Sequence, residues 1–264
     1  MRDDPVPLQQ SLLAAAGEPY RGAELPSHPP PLTEAYAIQR AIAAHHGLPI
    51  AAWKLGLTGQ GARDAFGATE PTIGRLGAST VYRNGSETDF IGPEMFAEAE
   101  LVFEIGNALP AQDRPYTRAN LCAAISGIYT GIEIVRTRFE TSDLPLTLLV
   151  ADNSMAHGLL LGRKLATQWD DRFAQLPVSL TRNDEPPIEG STASVMGNPL
   201  DALVWLANWL RLHEEHGLQP GQLITSGTCT GATEISAGDI IRVTIDTIES
   251  ARITLRAPNF EEAK

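Results

Sequence analysis

Apolar positions recur at helical spacing in only a few stretches of this chain; elsewhere they alternate with polar ones or form short blocks. Leu8, Leu12, Leu13 and Ala16 share a helical face, with Gly17 placed to end the helix. The prolines of LPSHPPPL (25–32) force extended backbone. Thr33 then reads as an N-cap after Leu32, with Ala35, Ile38 and Ile42 on one face and Gly47 and Pro49 as stops. Beyond residue 50 the blocks are short. AAWKLGLT (51–58), EAELVFEI (98–105), GIEIV (131–135), HGLLLG (157–162), QLITSG (222–227), DIIRVTID (239–246) and ARITLRA (251–257) predict strands. Helices are expected from Thr117 to about Ser126, and from the Asn198 cap with Pro199 to near Gly217. The second carries a stripe of Leu200, Leu203, Val204, Ala207 and Leu210. Strands outnumber helices and are irregularly spaced. The expected class is α+β with a mixed, largely β core rather than a doubly wound parallel sheet.

Composition narrows the function. The chain has 264 residues, with 20 Lys and Arg against 32 Asp and Glu and a net charge of −12. No basic cluster is present, which excludes nucleic acid and anionic membrane surfaces as expected partners. No apolar run is long enough to span a bilayer, and the N-terminus lacks a signal pattern, so the expected location is the cytoplasm. Two cysteines, Cys122 and Cys229, make neither a disulfide framework nor a metal site; Cys229 is buried filler or lines a pocket.

Carboxylates in apolar strands are the candidate chemistry. Alternation puts Glu98, Glu100 and Glu104 on one face and Ala99, Leu101, Phe103 and Ile105 on the other. Such a face is either solvated or holds a hard cation, Glu98 and Glu100 being spaced to share one. Glu133 interrupts an apolar run, as an ion pair to Arg136 or Arg138 or as a third oxygen ligand; no histidine in that run points to zinc. Lys54 shares a face with Gly56 and Thr58. It is either an edge-strand charge or, in partly apolar surroundings that lower its pKa, a general acid or base. ADNSMAHG (151–158) reads as a side-chain-capped turn. TSGTCTGA (225–232) reads as a turn or as a loop whose amides and hydroxyls bind a carboxylate. His45, His46 and His157 have no Ser or Asp companion that suggests a catalytic triad.

The ordered set WKLGLT, ATEP-x-x-G (68–74), E-x-E, GIEIV-x-x-R, ADN, GNPLDALVWLAN and GQLITSGTCTG…AGD resembles the 2-keto-4-pentenoate hydratase and 4-oxalocrotonate decarboxylase group of the fumarylacetoacetate hydrolase superfamily, from about residue 34 to 257. The resemblance implies a β-roll or barrel-like core over residues 76–264 carrying the metal site, preceded by a helical region over residues 1–75. It implies Glu98, Glu100 and Glu133 as ligands of Mg²⁺ or Mn²⁺, Lys54 as the catalytic lysine and Ser154 as a catalytic neighbour, with Thr72 and Thr228 at the substrate. The implied activity is hydration of a 2-hydroxy-2,4-dienoate or its 2-oxo-enoate tautomer, with decarboxylation of a 2-oxo-enedioate or acylpyruvate hydrolysis as alternatives. The implied partners are a small anionic substrate and further copies of the chain, or a related decarboxylase or hydratase. Two departures stand out. The acid that many hydratases carry after the proline is replaced in Pro71-Thr72-Ile73-Gly74, and the usual Gly-Leu-Gly turn reads Asp246-Thr247-Ile248-Glu249-Ser250.

Overall fold

A computed structural model describes residues 7–15, 22–47, 49–90, 92, 94–214 and 216–257. Its first half runs α1 (Leu8–Ala15), α2 (Leu32–His46), β1 (Ile50–Gly56), α3 (Gln60–Phe66), β2 (Thr72–Gly77), β3 (Val81–Arg83), β4 (Glu87–Asp89), β5 (Met95–Ile105), α4 (Arg118–Ala124) and β6 (Ile125–Arg136). There follow α5 (Leu146–Ala151), β7 (Ala156–Ala166), β8 (Pro177–Arg182), β9 (Ile188–Ser191), α6 (Pro199–His213), β10 (Leu223–Thr225), β11 (Ala232–Glu234), β12 (Ile240–Ile245) and β13 (Ile248–Arg256). An eight-stranded mixed sheet has the order β2-β1-β10-β5-β6-β7-β3, with β11 also paired to β5; a five-stranded sheet runs β4-β13-β12-β8-β9. The expected mixed, strand-rich class is what the topology shows.

Period-two alternation sorts the large sheet's side chains. Ala97, Ala99, Leu101, Phe103 and Ile105 of β5 join Ile132 and Ile134 of β6 in the main core. The opposite face carries Lys54 on β1, Glu98 and Glu100 on β5, and Glu133 on β6. Further along, the same face carries a small apolar cluster of Ala52, Leu76, Val102, Leu159 and Leu223. The charged site is therefore sealed at one end by packed hydrocarbon.

The helices buttress the other side. Gln39 of α2 is 1% exposed, and its amide donates to Ile73 O (2.9 Å) and Val150 O (2.8 Å), tying α2 to β2 and α5. Tyr36 of α2 stacks obliquely on Trp209 of α6 at 5.1 Å. α6 starts as expected, with Asn198 accepting from Leu200 N, but stops at His213 because Glu214 turns extended. That turn brings Glu214 to Arg75, at 2.5 Å.

Several expectations are corrected. Thr33 does not cap α2: Pro31 stands at the cap and its carbonyl accepts from Ala35 N, so Thr33 lies inside the helix. Gly47 does end α2, in the left-handed conformation; the expected stop at Gly17 lies outside the described residues. The boundary drawn after residue 75 falls inside β2, because the β1–β2 hairpin pairs into the main sheet. The short helices α3 and α5 were not expected. Asp246-Thr247 closes the β12–β13 hairpin, in the sheet that does not carry the carboxylates.

Replacing Gln39 with leucine keeps volume but removes both buried amide bonds and the acceptor that Gln39 offers Arg75. Urea unfolding should show a loss of about 1–3 kcal/mol; an unchanged midpoint would mean that these ties carry no net stability.

Candidate metal and substrate site

The carboxylates meet because of strand register. Glu98 on β5 lies opposite Glu133 on β6, and Glu100 lies opposite Gly131. One carboxylate oxygen from each glutamate falls within 4.8 Å of the other two, and Glu100 and Glu133 are fully buried. Glu100 Oε2 accepts from Gly227 N at 2.7 Å and Glu133 Oε2 accepts from Thr225 Oγ1 at 3.2 Å. The remaining Oε1 atoms of Glu100 and Glu133 have no hydrogen-bond donor. Three hard oxygen donors converging with two orphaned lone-pair sets fit a divalent cation of the Mg²⁺ type.

The end of β10 and the loop after it supply the supporting donors, Thr225 Oγ1 and Gly227 N, to carboxylates of the protein itself. Only glycine suits position 227. Its φ is +104°, and a Cβ there would stand 1.9 Å from Thr58 Oγ1. Cys229 is buried, which pushes its thiol up, and it also lines the cavity, so both of its readings apply.

Lys54 Nζ donates to Ser154 O at 2.9 Å and stands 3.9 Å from Glu133 Oε1. Burial acts to lower its pKa, but Glu133, Glu98 and Glu100 outweigh burial, so the net shift is upward. The expected lowering is corrected on that ground: in the cation-free site Lys54 is held as an ammonium. Burial pushes the Glu133 carboxyl up to about 7 despite Lys54, and burial with two carboxylate neighbours holds Glu100 well above the usual range.

Asn153, Ser154 and Met155 are three consecutive non-glycine residues with φ of 57°, 52° and 60°. This left-handed turn is strained and is held mainly by ties to distant segments, with one local side-chain bond, from Asn153 Nδ2 to Ala156 O at 3.4 Å. Asp152 accepts from Thr137 Oγ1, Arg138 N and Arg138 Nε, and the Asn153 side chain bonds both Arg75 N and Arg75 O. Gly74 allows the approach, since a Cβ there would meet Asn153 O at 2.5 Å. Ser154 Oγ donates to Ile73 O, so what this residue gives Lys54 is its carbonyl.

A cavity of about 630 Å³ opens beside these groups. Lys54, Thr72, Glu98, Ser154 and Thr228 all line it. Thr72 Oγ1 is buried without a partner, 2.6 Å from where a Cβ on Gly56 would stand, and Lys54 Nζ is 3.5 Å from that point. The glycine thus leaves a gap between a hydroxyl and an ammonium. Thr228 Oγ1 is engaged by Gly231 O. Glu104 lies apart, bonded to Tyr129 and Lys164. Sequence reasoning missed Phe66, Phe96 and Leu149, which form apolar wall, and the supporting roles of Thr225 and Gly227.

Residues 61–256 match the family described as Fumarylacetoacetate (FAA) hydrolase C-terminal. A 2-keto-4-pentenoate hydratase of Burkholderia vietnamiensis is 29% identical, the match covering 84% of this chain and 85% of that protein. A 4-oxalocrotonate decarboxylase of Pseudomonas putida is 28% identical over 89% of this chain and 94% of its own length. The solved structure of 4-oxalocrotonate decarboxylase from Pseudomonas putida G7, complexed with magnesium and adipate, superposes with a TM-score of 0.76 at 25% identity, covering 85% of this chain and 86% of that one.

The raised carboxyls fix the sign of a pH dependence. Glu133 is raised from 4.5 to about 7 in the cation-free fold. Between those values the folded state binds protons that the unfolded state has released, so stability falls as pH rises. Chelator-treated protein should therefore show a falling urea midpoint from about pH 5 to about pH 8, with added Mg²⁺ restoring more at the higher pH. A midpoint that rises over this range, unaffected by Mg²⁺, would contradict the assignment.

Proposed function

The chain belongs to the fumarylacetoacetate hydrolase family, and from that premise we propose that it is a divalent-metal-dependent lyase adding water to a 2-hydroxy-2,4-dienoate, or its 2-oxo-enoate tautomer, to give a 4-hydroxy-2-oxo acid. Glu98, Glu100 and Glu133 would hold Mg²⁺, or Mn²⁺, as an all-oxygen set suits a hard cation. When bound, such an ion supplies Lewis acidity against negative charge growing on the substrate's 2-oxygen. Magnesium in the related decarboxylase structure supports the same choice.

The chain's own groups carry the rest. Lys54 has three N–H donors and spends one on Ser154 O, leaving others for a substrate oxygen. It holds or moves the proton exchanged between the 2-oxygen and C5 during tautomerisation. Thr72 Oγ1, with no partner in the protein, orients water in the gap beside Gly56. A hydroxyl is no base at neutral pH, so Thr72 positions water and does not deprotonate it. Phe66, Phe96, Val135 and Leu149 keep bulk water from the conjugated tail.

One observation favours a tail without a second charge. Lys54 is the one cation among the described residues lining the cavity, alongside the anionic Glu98 and Glu189. A dicarboxylate would bring its distal carboxylate into this cavity with no second cation to meet it, only hydroxyls such as Ser142, Ser194 and Thr230. The second reading, decarboxylation of a 2-oxo-enedioate such as 4-oxalocrotonate, is favoured by the missing acid at Thr72 and by the decarboxylase relative. Acylpyruvate hydrolysis has less support, since no histidine is among the described residues lining the cavity.

With Mg²⁺, the protein should consume 2-hydroxypenta-2,4-dienoate, followed by loss of its ultraviolet absorbance, faster than it releases carbon dioxide from 4-oxalocrotonate. Carbon dioxide release without hydration of the five-carbon dienoate would replace hydration by the second reading. Lys54→Met should lower kcat about 10²–10⁴-fold, and Lys54→Arg should be nearly as poor because guanidinium does not exchange its proton near neutrality. A fully active arginine variant would reduce Lys54 to a fixed charge.

A further inference from the structure

A second cavity, of about 360 Å³, lies across the strained turn from the first: Asp152 and Asn153 line it, whereas Ser154 and Met155 line the substrate cavity. Its charge runs against that of the chain. Three guanidinium groups, Arg75, Arg136 and Arg138, are among its lining side chains with a single carboxylate, Asp152, in a protein of net charge −12. Arg75 donates to Gln39 and, at 2.5 Å, to Glu214, and Arg138 Nε donates to Asp152 at 2.6 Å, so these two guanidiniums are fixed in place with part of their five N–H donors unspent. Burial, then Arg136 and Arg138, push His157 down to about 4. It is therefore a neutral hydrogen-bonding group at physiological pH. Facing these polar groups, Ile42 and Ala43 of α2, Pro49 and Leu76 form an apolar wall. None of these groups lines the substrate cavity; Arg75, Arg138 and Asp152 bear on it only by holding the turn that places Ser154 O.

We propose that this second cavity binds a small organic carboxylate with an apolar body. Fixed guanidinium forks match the planar, two-oxygen geometry of a carboxylate, and the volume falls within the range of about 300–1,000 Å³ usual for small-molecule sites. The wall formed by α2 selects an apolar body: a bare inorganic anion would satisfy the arginines and leave Ile42, Ala43 and Leu76 against water. The site is separate from the cation-binding glutamates, so its occupancy does not depend on the catalytic reading.

Calorimetric titration of the Mg²⁺-loaded protein with benzoate, beside inorganic phosphate, tests this. Benzoate should bind at millimolar concentration or tighter, phosphate more weakly, and benzoate binding should persist in Glu133→Gln, whose cation site is broken. Arg136→Gln should weaken it by about 10-fold or more. Ala43→Phe, which fills the cavity and removes no charge, should do the same and serves if the arginine variant fails to fold. Absence of benzoate binding, phosphate binding more tightly than benzoate, or binding lost in Glu133→Gln but kept in Ala43→Phe would each overturn the assignment.

Discussion

Three carboxylates held together inside a sheet are the constraint around which this molecule is arranged. With oxygens within 4.8 Å of one another, each like-charged pair costs about 3 kcal/mol at an effective dielectric of 20. Three such pairs approach the whole stability of an ordinary domain, about 5–15 kcal/mol. Lys54 at 3.9 Å, the Gly227 amide and the Thr225 hydroxyl offset part of this. Burial pushes the Glu100 and Glu133 carboxyls toward their protonated forms without a cation. A divalent cation would be the economical counter-charge, because it would pair with all three groups at once and leave the remaining N–H donors of Lys54 unspent.

The backbone around the site is shaped by that need. Glycine stands at 227 because Thr58 crowds it, at 74 because the Asn153 carbonyl approaches it, and at 56 because a gap is needed between Thr72 and Lys54. The left-handed run Asn153–Met155 is held by Arg75 and by Arg138 through Asp152, and it delivers the carbonyl that fixes the lysine. Strain in that turn is thus tied to the placement of one ammonium group. The same turn divides the two cavities, so an arginine-rich pocket and a glutamate-rich site share a wall only a few residues thick.

How much of this was legible in the sequence differs from residue to residue. Alternation in EAELVFEI placed Glu98 and Glu100 on one face without any structure. That Glu133 stands opposite Glu98 is a matter of register, which no spacing within one strand can give; only the resemblance joined the three. The resemblance also carried Lys54, but its raised pKa was hidden, because the apolar neighbours visible in WKLGLT pull one way and the carboxylates of other strands pull the other. GQGARDAF shows no apolar stripe, so α3 escaped notice although Phe66 and Ala62 line the cavity. ADNS was legible as a polar turn, but most of its side-chain and carbonyl ties run to residues 14 to 100 positions away, beyond any local rule.

The proposed site stands on one cation shared by Glu98, Glu100 and Glu133. Mn²⁺ titration of chelator-stripped protein, read by paramagnetic resonance of the free ion, measures it most directly. One Mn²⁺ per chain is expected, displaced by Mg²⁺ and lost in each of Glu98→Gln, Glu100→Gln and Glu133→Gln while all three variants stay folded. Undiminished Mn²⁺ binding in two of those variants, or a folded wild-type chain that binds none at about pH 8, where the carboxyls have released their protons, would contradict it.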